Sequence, residues 1–264
     1  LQKLYENGHI TYHRTDNINL GTQFIDKIEN FVNEKYGPNY FKKRIYKSKV
    51  KCAQEAHEAI RPTNLSKLTL GDGANLNEKK LYELIWKRTV ASQMSNAIYD
   101  SYAIDIEISN SEHLFNCKIQ RLVFDGYKKV YQEFVSKKDK DESETKTIED
   151  DKLLTKIKAN EELKYKKILC NEKYSQPPAR YSEATLIKKM ESVGIGRPST
   201  WSNVISILID RNYVSVGNID GKKKDVIHYI LEKDVINDKK ENIAIGSEKK
   251  KIIPTAIGRS SCKF

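Results

Sequence analysis

A tyrosine, an arginine and an aspartate stand at alternate positions in "ENGHITYHRTDN", residues 6–17, directly after an Asn-Gly break. On an extended chain, residues i, i+2 and i+4 face one way, so the spacing predicts Tyr12, Arg14 and Asp16 on one side, with Thr11 and His13 on the other. A phenol, with a pKa of about 10, is a poor nucleophile at neutral pH. A guanidinium beside it favours the phenolate and grips a phosphate oxygen bidentately, and a carboxylate at Asp16 would hold that guanidinium in place. An ordinary strand face with a surface ion pair has the same pattern. A second stretch, "AQEAHEAIRPT" at 53–63, sets His57 between Glu55 and Glu58 with Arg61 close behind. There an imidazole can donate to a phosphate or move a proton.

The elements that must position these groups follow from periodicity. Leu1, Leu4 and Tyr5 share a helical face that Asn7 and Gly8 close, and "HITYHRT" then alternates as a strand. Phe24, Ile25, Ile28, Phe31 and Val32 predict a helix ending near "YGPN", and "AQEAHEAIRPTN" reads as a loop or a short helix running out. Residues 78–96 predict the clearest long helix of the first half, with Leu81, Leu84, Ile85, Val90 and Met94 at helical spacing. From about 98 the period changes to two: Ile104, Ile106 and Ile108 oppose Asp105 and Glu107, predicting antiparallel strands to 135. Residues 136–152 are a charged, solvated loop, after which "LKYKKILC" resumes strand. Ser182 and Ser199 are placed to cap two helices either side of "GIGRP". "NYVSV" then predicts a strand, "NIDGKKK" a turn and "DVIHYIL" its partner, the order of a winged helix-turn-helix. "LYENGHITY" at 4–12 is echoed by "LIDRNYVSV" at 208–216, as a duplicated module would be.

With 264 residues the chain has room for two or three modules. A formal charge of +11, carried mostly by lysine, suits a polyanionic partner. Cys52, Cys117, Cys170 and Cys262 are too scattered for a zinc site or a disulfide scaffold, which points to a reducing compartment. No apolar run approaches the length of a membrane span. The start at "LQKLYENG", without Met and already in helical register, reads as part of a longer protein.

Five blocks in order, "LYENGHITYHRTD", "QEAHEAIRPT", "LYELIWKRTVASQM", "PPARYSEATLIKKMESVGIGRPST" and "DRNYV", resemble type IA DNA topoisomerases, in the bacterial topoisomerase I branch. The resemblance implies that Tyr12 attacks single-stranded DNA, leaving a 5'-phosphotyrosyl link, and that negatively supercoiled DNA relaxes without ATP. It assigns Arg14 and His57 to the catalytic group and Thr11 and Asp16 to support. Arg197, Ser199, Thr200 and Arg211 match residues lining the family's single-strand groove, where Trp201 offers a stacking face. It implies Mg2+ held by an N-terminal Toprim domain acting in cis, for which no segment here serves, so the chain alone should bind DNA weakly and cleave poorly. His13, Asn17 and Trp201 depart from the family's usual methionine or proline, serine and tyrosine. The expected fold is mixed α and β and multidomain: a mainly helical, winged-helix-like tyrosine domain at 1–96, a β-rich arch at 97–175 and a winged-helix domain at 176–264. The expected protein is a monomer in the cytoplasm, associated with the nucleoid, or in another intracellular DNA compartment, with no membrane partner. Alternatives are a topoisomerase III or reverse gyrase module, or a non-enzymatic winged-helix DNA-binding protein.

Overall fold

Apolar stripes on two helices build the core that carries the tyrosine segment. The computed structural model describes residues 1–47, 57–109, 111–132 and 154–262. The chain is mixed α and β and divides into two units, Leu1–Glu161 and Glu162–Phe264.

In the first unit, α1 (Gln2–Glu6) leads to α2 (Thr22–Lys35), which buries Phe24, Ile25, Ile28 and Val32. Helix α3 (Leu76–Ser92) opens on a capping box, Asn75 and Glu78 each accepting the other's backbone N–H. Its buried face is Tyr82, Trp86, Thr89 and Val90, while Leu84, expected inside, is 52% exposed. The larger rings win the interior because their polar atoms find partners there: Trp86 Nε1 donates to the Leu65 carbonyl at 2.9 Å and Tyr82 Oη to that of Lys67 at 2.7 Å. A long antiparallel ribbon follows, β1 (Ile98–Ile108) on β2 (Ser111–Phe124), with Ile104 opposite Cys117 and Ile106 opposite Phe115. Helix α4 (Lys128–Gln132) returns Val130 to the core. The charged loop expected at 136–152 lies outside the described residues.

The second unit comprises β3 (Lys167–Asn171), α5 (Glu183–Val193), α6 (Trp201–Asp210), β4 (Val214–Ile219), β5 (Lys222–Glu232), β6 (Val235–Ile245), β7 (Glu248–Pro254) and α7 (Ala256–Ser261). The hairpin expected between "NYVSV" and "DVIHYIL" does not form: β4 pairs with β7, and β5 lies between β3 and β6. Strands β5 and β6 pair along their whole length through Lys233 and Asp234, both at positive φ (51° and 62°), as a two-residue hairpin turn requires. That turn lacks glycine, so its signal was weak.

The internal echo recurs in the backbone. After α1, Gly8 N–H donates to the Tyr5 carbonyl and His9 N–H to that of Leu4, both at 2.8 Å. After α6, Asn212 N–H donates to Ile209 at 2.8 Å and Tyr213 N–H to Leu208 at 2.9 Å. Gly8 (φ 70°) and Asn212 (φ 55°) take the same left-handed conformation. Ile10 then bridges Pro62, as Val214 pairs with Pro254. Thr63 binds the carbonyls of Gly8 and His9 through its hydroxyl (2.7 and 3.3 Å), and Thr255 binds those of Asn212 and Tyr213 (2.6 and 3.2 Å).

Candidate active site around Tyr12

Buried Leu4 and Ile10, packed with Leu70 and Tyr82, fix both ends of the turn that delivers Tyr12. Thr11 N–H donates to the Arg61 carbonyl at 2.9 Å, as in a ladder. The ladder stops there. Arg61 N–H donates to the Thr11 hydroxyl (3.0 Å), where a regular ladder would use a carbonyl, and that hydroxyl donates to the Ala59 carbonyl (3.1 Å). Ala59 N–H is taken by the Asn19 carbonyl at 2.8 Å. With these groups diverted, "HITYHRT" forms one isolated bridge instead of the expected strand, and the backbone bends through His13 and Arg14. The alternating geometry that was to align Tyr12, Arg14 and Asp16 on a strand face is therefore absent.

What surrounds Tyr12 is a group of rings. Its ring, half-buried, lies 4.8 Å from that of His57, 5.4 Å edge-on from Tyr5 and 5.6 Å from His13 (centroids). His57 and Arg14 are exposed, and Asp16 and Thr11 are half-buried. Two segments 45 residues apart in sequence thus place a phenol and an imidazole side by side, with a guanidinium two residues further along the bend. Tyr5, a second phenol, touches both Tyr12 and His13; its place two residues before the Asn-Gly stop marks it in the sequence only as a helix-face residue. His13 Nδ1 is buried without a hydrogen-bond partner. Burial, and then the charge of Arg14, lower its pKa from the ordinary 6.5, so the neutral imidazole is favoured.

The carboxylates expected to flank His57 behave otherwise. Glu55 lies outside the described residues. Glu58 receives Arg61 bidentately, Nε at 2.9 Å and Nη2 at 2.6 Å, and the Gly21 N–H at 3.0 Å. Burial raises its pKa, but the hydrogen bonds from Arg61 and Gly21 outweigh it and leave the carboxyl below the ordinary 4.5. Neither Glu58 nor Arg61 is free to act on a substrate.

In the second unit, Arg197, Ser199 and Thr200 gather at the start of α6, all exposed. Ser199 was expected to cap this helix; the cap position is Thr200, and its hydroxyl turns back to the Arg197 backbone, accepting from N–H at 2.9 Å and donating to the carbonyl at 3.1 Å. The first-turn N–H groups of α6 therefore receive no side-chain cap. Trp201 Nε1 donates to the Ile195 carbonyl (2.8 Å), and its ring presses so closely on Gly196 that a Cβ there would stand 2.9 Å from Cδ1. Arg211 sits at the other end of α6, about 15 Å along the axis. Among the described residues no group of three or more His, Cys, Asp or Glu could hold a metal ion, and no helix is long and apolar enough to cross a membrane.

A family model described as DNA topoisomerase matches residues 1–239. The DNA topoisomerase 1 type prokaryotic of Acanthamoeba polyphaga mimivirus is 40% identical over 271 residues, covering 97% of this chain and 31% of that protein. DNA topoisomerase 1 of Rickettsia bellii is 45% identical over 227 residues, or 81% of this chain and 27% of that protein. Among solved structures, full-length topoisomerase I from Thermotoga maritima matches with a TM-score of 0.55 and 30% identity, over 79% of this chain and 31% of that one. The chain thus spans roughly a third of the length of these relatives. By its matched length and its relatives, it belongs to the DNA topoisomerase family, type IA.

Proposed function

We propose that this chain carries the strand-cleaving tyrosine of a topoisomerase I that relaxes negatively supercoiled DNA, ATP-independently, by passing one strand through a transient break in another. Tyr12 Oη attacks a phosphodiester of single-stranded DNA: an O–P bond forms at the phenol, the P–O3' bond breaks, and the phenol's proton ends on the departing 3' oxygen. Attack by that hydroxyl reverses the step. Arg14 holds a non-bridging oxygen, and His57 donates to the phosphate or carries the proton. The observation that carries this reading is the Tyr12–His57 ring pair at 4.8 Å, on a segment released from its ladder. Thr11 supports by making that release, and Asp16 supports from the same bend.

Arg197, Ser199, Thr200 and Arg211 are read as contacts of a single-strand groove in a winged-helix domain at 176–264. Uncapped N–H groups at the start of α6 suit a phosphate. The same reading takes 1–96 as the tyrosine domain and 97–175 as an arch segment, in a monomeric protein of the nucleoid-bearing cytoplasm or another DNA compartment. Mg2+ belongs in it to a Toprim domain; the described residues here hold no group of carboxylates, histidines or cysteines that fits the ion.

The test joins this chain in cis to the metal-binding domain of a family member, supplies Mg2+ and a single-stranded oligonucleotide, and traps protein with denaturant. Expected is protein on the 5' end of the downstream fragment, lost in Tyr12→Phe. No adduct, or one that survives Tyr12→Phe, overturns the reading and leaves a non-enzymatic DNA-binding protein. Preference for decatenation over relaxation would assign a topoisomerase III-like activity instead.

A further inference from the structure

We infer that Glu58 and Arg61 are positioning residues that set the imidazole of His57 against the ring of Tyr12, an inference that rests on the catalytic reading above. Four features converge on this pair, whose side chains bond to one another and to the backbone of Gly21 and Pro62.

The Arg61 guanidinium makes its two bonds to the Glu58 carboxylate at 2.6 and 2.9 Å, in the fork geometry that only arginine offers, with the side chains 17% and 28% exposed. It stacks on Phe24, 3.8 Å from the ring centroid, and donates to the Pro62 carbonyl at 3.1 Å. The carboxylate also accepts the N–H of Gly21, the residue preceding α2, where negative charge is favoured by the helix dipole. A Cβ at position 21 would stand 3.1 Å from that carboxylate oxygen, so glycine keeps the seat open. Finally, the Arg61 backbone is the partner of Thr11, directly before Tyr12.

The pair therefore ties three pieces together: α2, through Gly21 and Phe24; the tyrosine segment, through Thr11; and the histidine segment, since Glu58 adjoins His57. His57 is exposed, and its one ring contact among the described residues is Tyr12. Its position is set by the backbone behind it, which Glu58 anchors. A bidentate, partly desolvated pair resists displacement where a single rim contact would not. Placement errors of about 1 Å at a reacting pair cost on the order of 100-fold in rate.

Two measurements test this. In the chain itself, NMR contacts between the Tyr12 ring protons and the His57 imidazole protons are expected in the wild type, lost in Glu58→Ala and Arg61→Ala, and partly kept in Glu58→Gln, whose amide oxygen still accepts from Gly21 and Arg61 Nε while its NH2 cannot accept from Nη2. In the chain joined to a metal-binding domain, Glu58→Ala and Arg61→Ala should slow adduct formation by roughly 10- to 100-fold with oligonucleotide affinity changed less than about twofold, and Glu58→Gln should recover part of the rate. Asn75→Ala, which removes the cap of α3 in the same unit, controls for general loss of stability and should leave the ring contacts unchanged. Should Glu58→Ala fail to fold, Glu58→Gln and Arg61→Lys carry the test, the lysine losing the fork and hence the contacts. Ring contacts or cleavage rates in the alanine variants equal to wild type would overturn the inference while the catalytic reading stands. Absence of any adduct in the wild type would instead sink the catalytic reading, and the ring contacts would then decide positioning alone.

Discussion

The turn before Tyr12 and the turn before Val216 share one backbone design. Each runs from a helix end through a left-handed residue into an extended segment that meets a Pro-Thr pair, with a threonine hydroxyl on the same two carbonyls. They part company one residue later. In the second unit the ladder continues, Ser215 on Ile253 and Val216 on Ile252. In the first, the Thr11 hydroxyl intercepts Arg61 N–H, Asn19 takes Ala59 N–H, and Tyr12 leaves the ladder toward His57. Where the first unit has Tyr12 and His57, the second has Val216 and, counting back from the Pro-Thr pair, Lys249. The scaffold is thus separable from the chemistry placed on it, and what differs is whether three polar backbone groups complete a sheet or are drawn off it.

The largest effect should come from exchanging the reactive positions. Tyr12→Phe is expected to remove the trapped adduct by a factor on the order of 10³ or more. Val216→Tyr should restore none of it in that background, because its strand stays paired and no imidazole stands opposite. An adduct on a tyrosine at 216 would show that the shared scaffold alone confers reactivity. Next in size is Thr11→Val, which lets Arg61 N–H seek the backbone carbonyl and draws Tyr12 toward the ladder. A fall in adduct formation of roughly 10- to 100-fold is expected, while Ser215→Val should change it by less than about twofold.

How far the sequence announced this contrast differs between elements. Helix α2 was legible because one apolar stripe satisfied period 3.6, β1 because isoleucines alternated with acids, and β2 because "LFNCKIQ" alternates as well. The face of α3 was misread, since hydropathy ranks Leu84 above Tyr82, whereas burial favoured the rings whose polar ends found carbonyls. Strand partners in the second unit were missed because pairing β4 with β7 needs contacts 29 to 40 residues apart, and adjacency favours the nearer strand. At the site, Tyr12, Arg14 and His57 were legible as residue types, but their meeting was not. The alternation of "HITYHRT" indicates a strand, and what cancels it lies at Ala59 and Asn19, outside any local window. Glu58 and Arg61 read as part of a catalytic cluster because opposite charges near a histidine suggest proton transfer, when their bonds go to one another and to Gly21.

The shared threonines should separate the two units by stability alone. Thr255 also caps α7, accepting from Gly258 N–H at 3.1 Å, so Thr255→Val should lower the stability of its unit by about 1–2 kcal/mol. Thr63 has no such second duty among the bonds described, and Thr63→Val should lower its own by about 0.5–1.5 kcal/mol. Hydrogen exchange of the two junctions in each variant measures both losses. If both losses appeared at both junctions, the two copies would be one cooperative piece.

The smallest difference is in pH response. His13 in the first junction corresponds to Gly217 in the second, so only the first carries a half-buried imidazole there. Burial and the Arg14 charge hold its folded pKa below 6.5, against the ordinary value in the unfolded chain. The unfolded state therefore binds more protons between those two values, and stability rises with pH across that window. Stated from the other side, the first unit loses stability as pH falls below 6.5, and the loss is complete once pH lies below the folded pKa. Below the ordinary carboxylate value of 4.5, Glu58 adds to it: its depressed pKa gives stability that is present above that value and lost as pH falls through the lowered one. Hydrogen-exchange protection of His9–Thr11 compared with Tyr213–Ser215, followed from pH 7 to 5 at fixed salt, isolates the histidine. The first stretch is expected to lose protection relative to the second, and His13→Met, which removes the titrating ring, should abolish the difference. A His13→Met variant that keeps the full pH dependence would place the acid-sensitive group elsewhere in the unit and leave the two junctions equivalent in this respect.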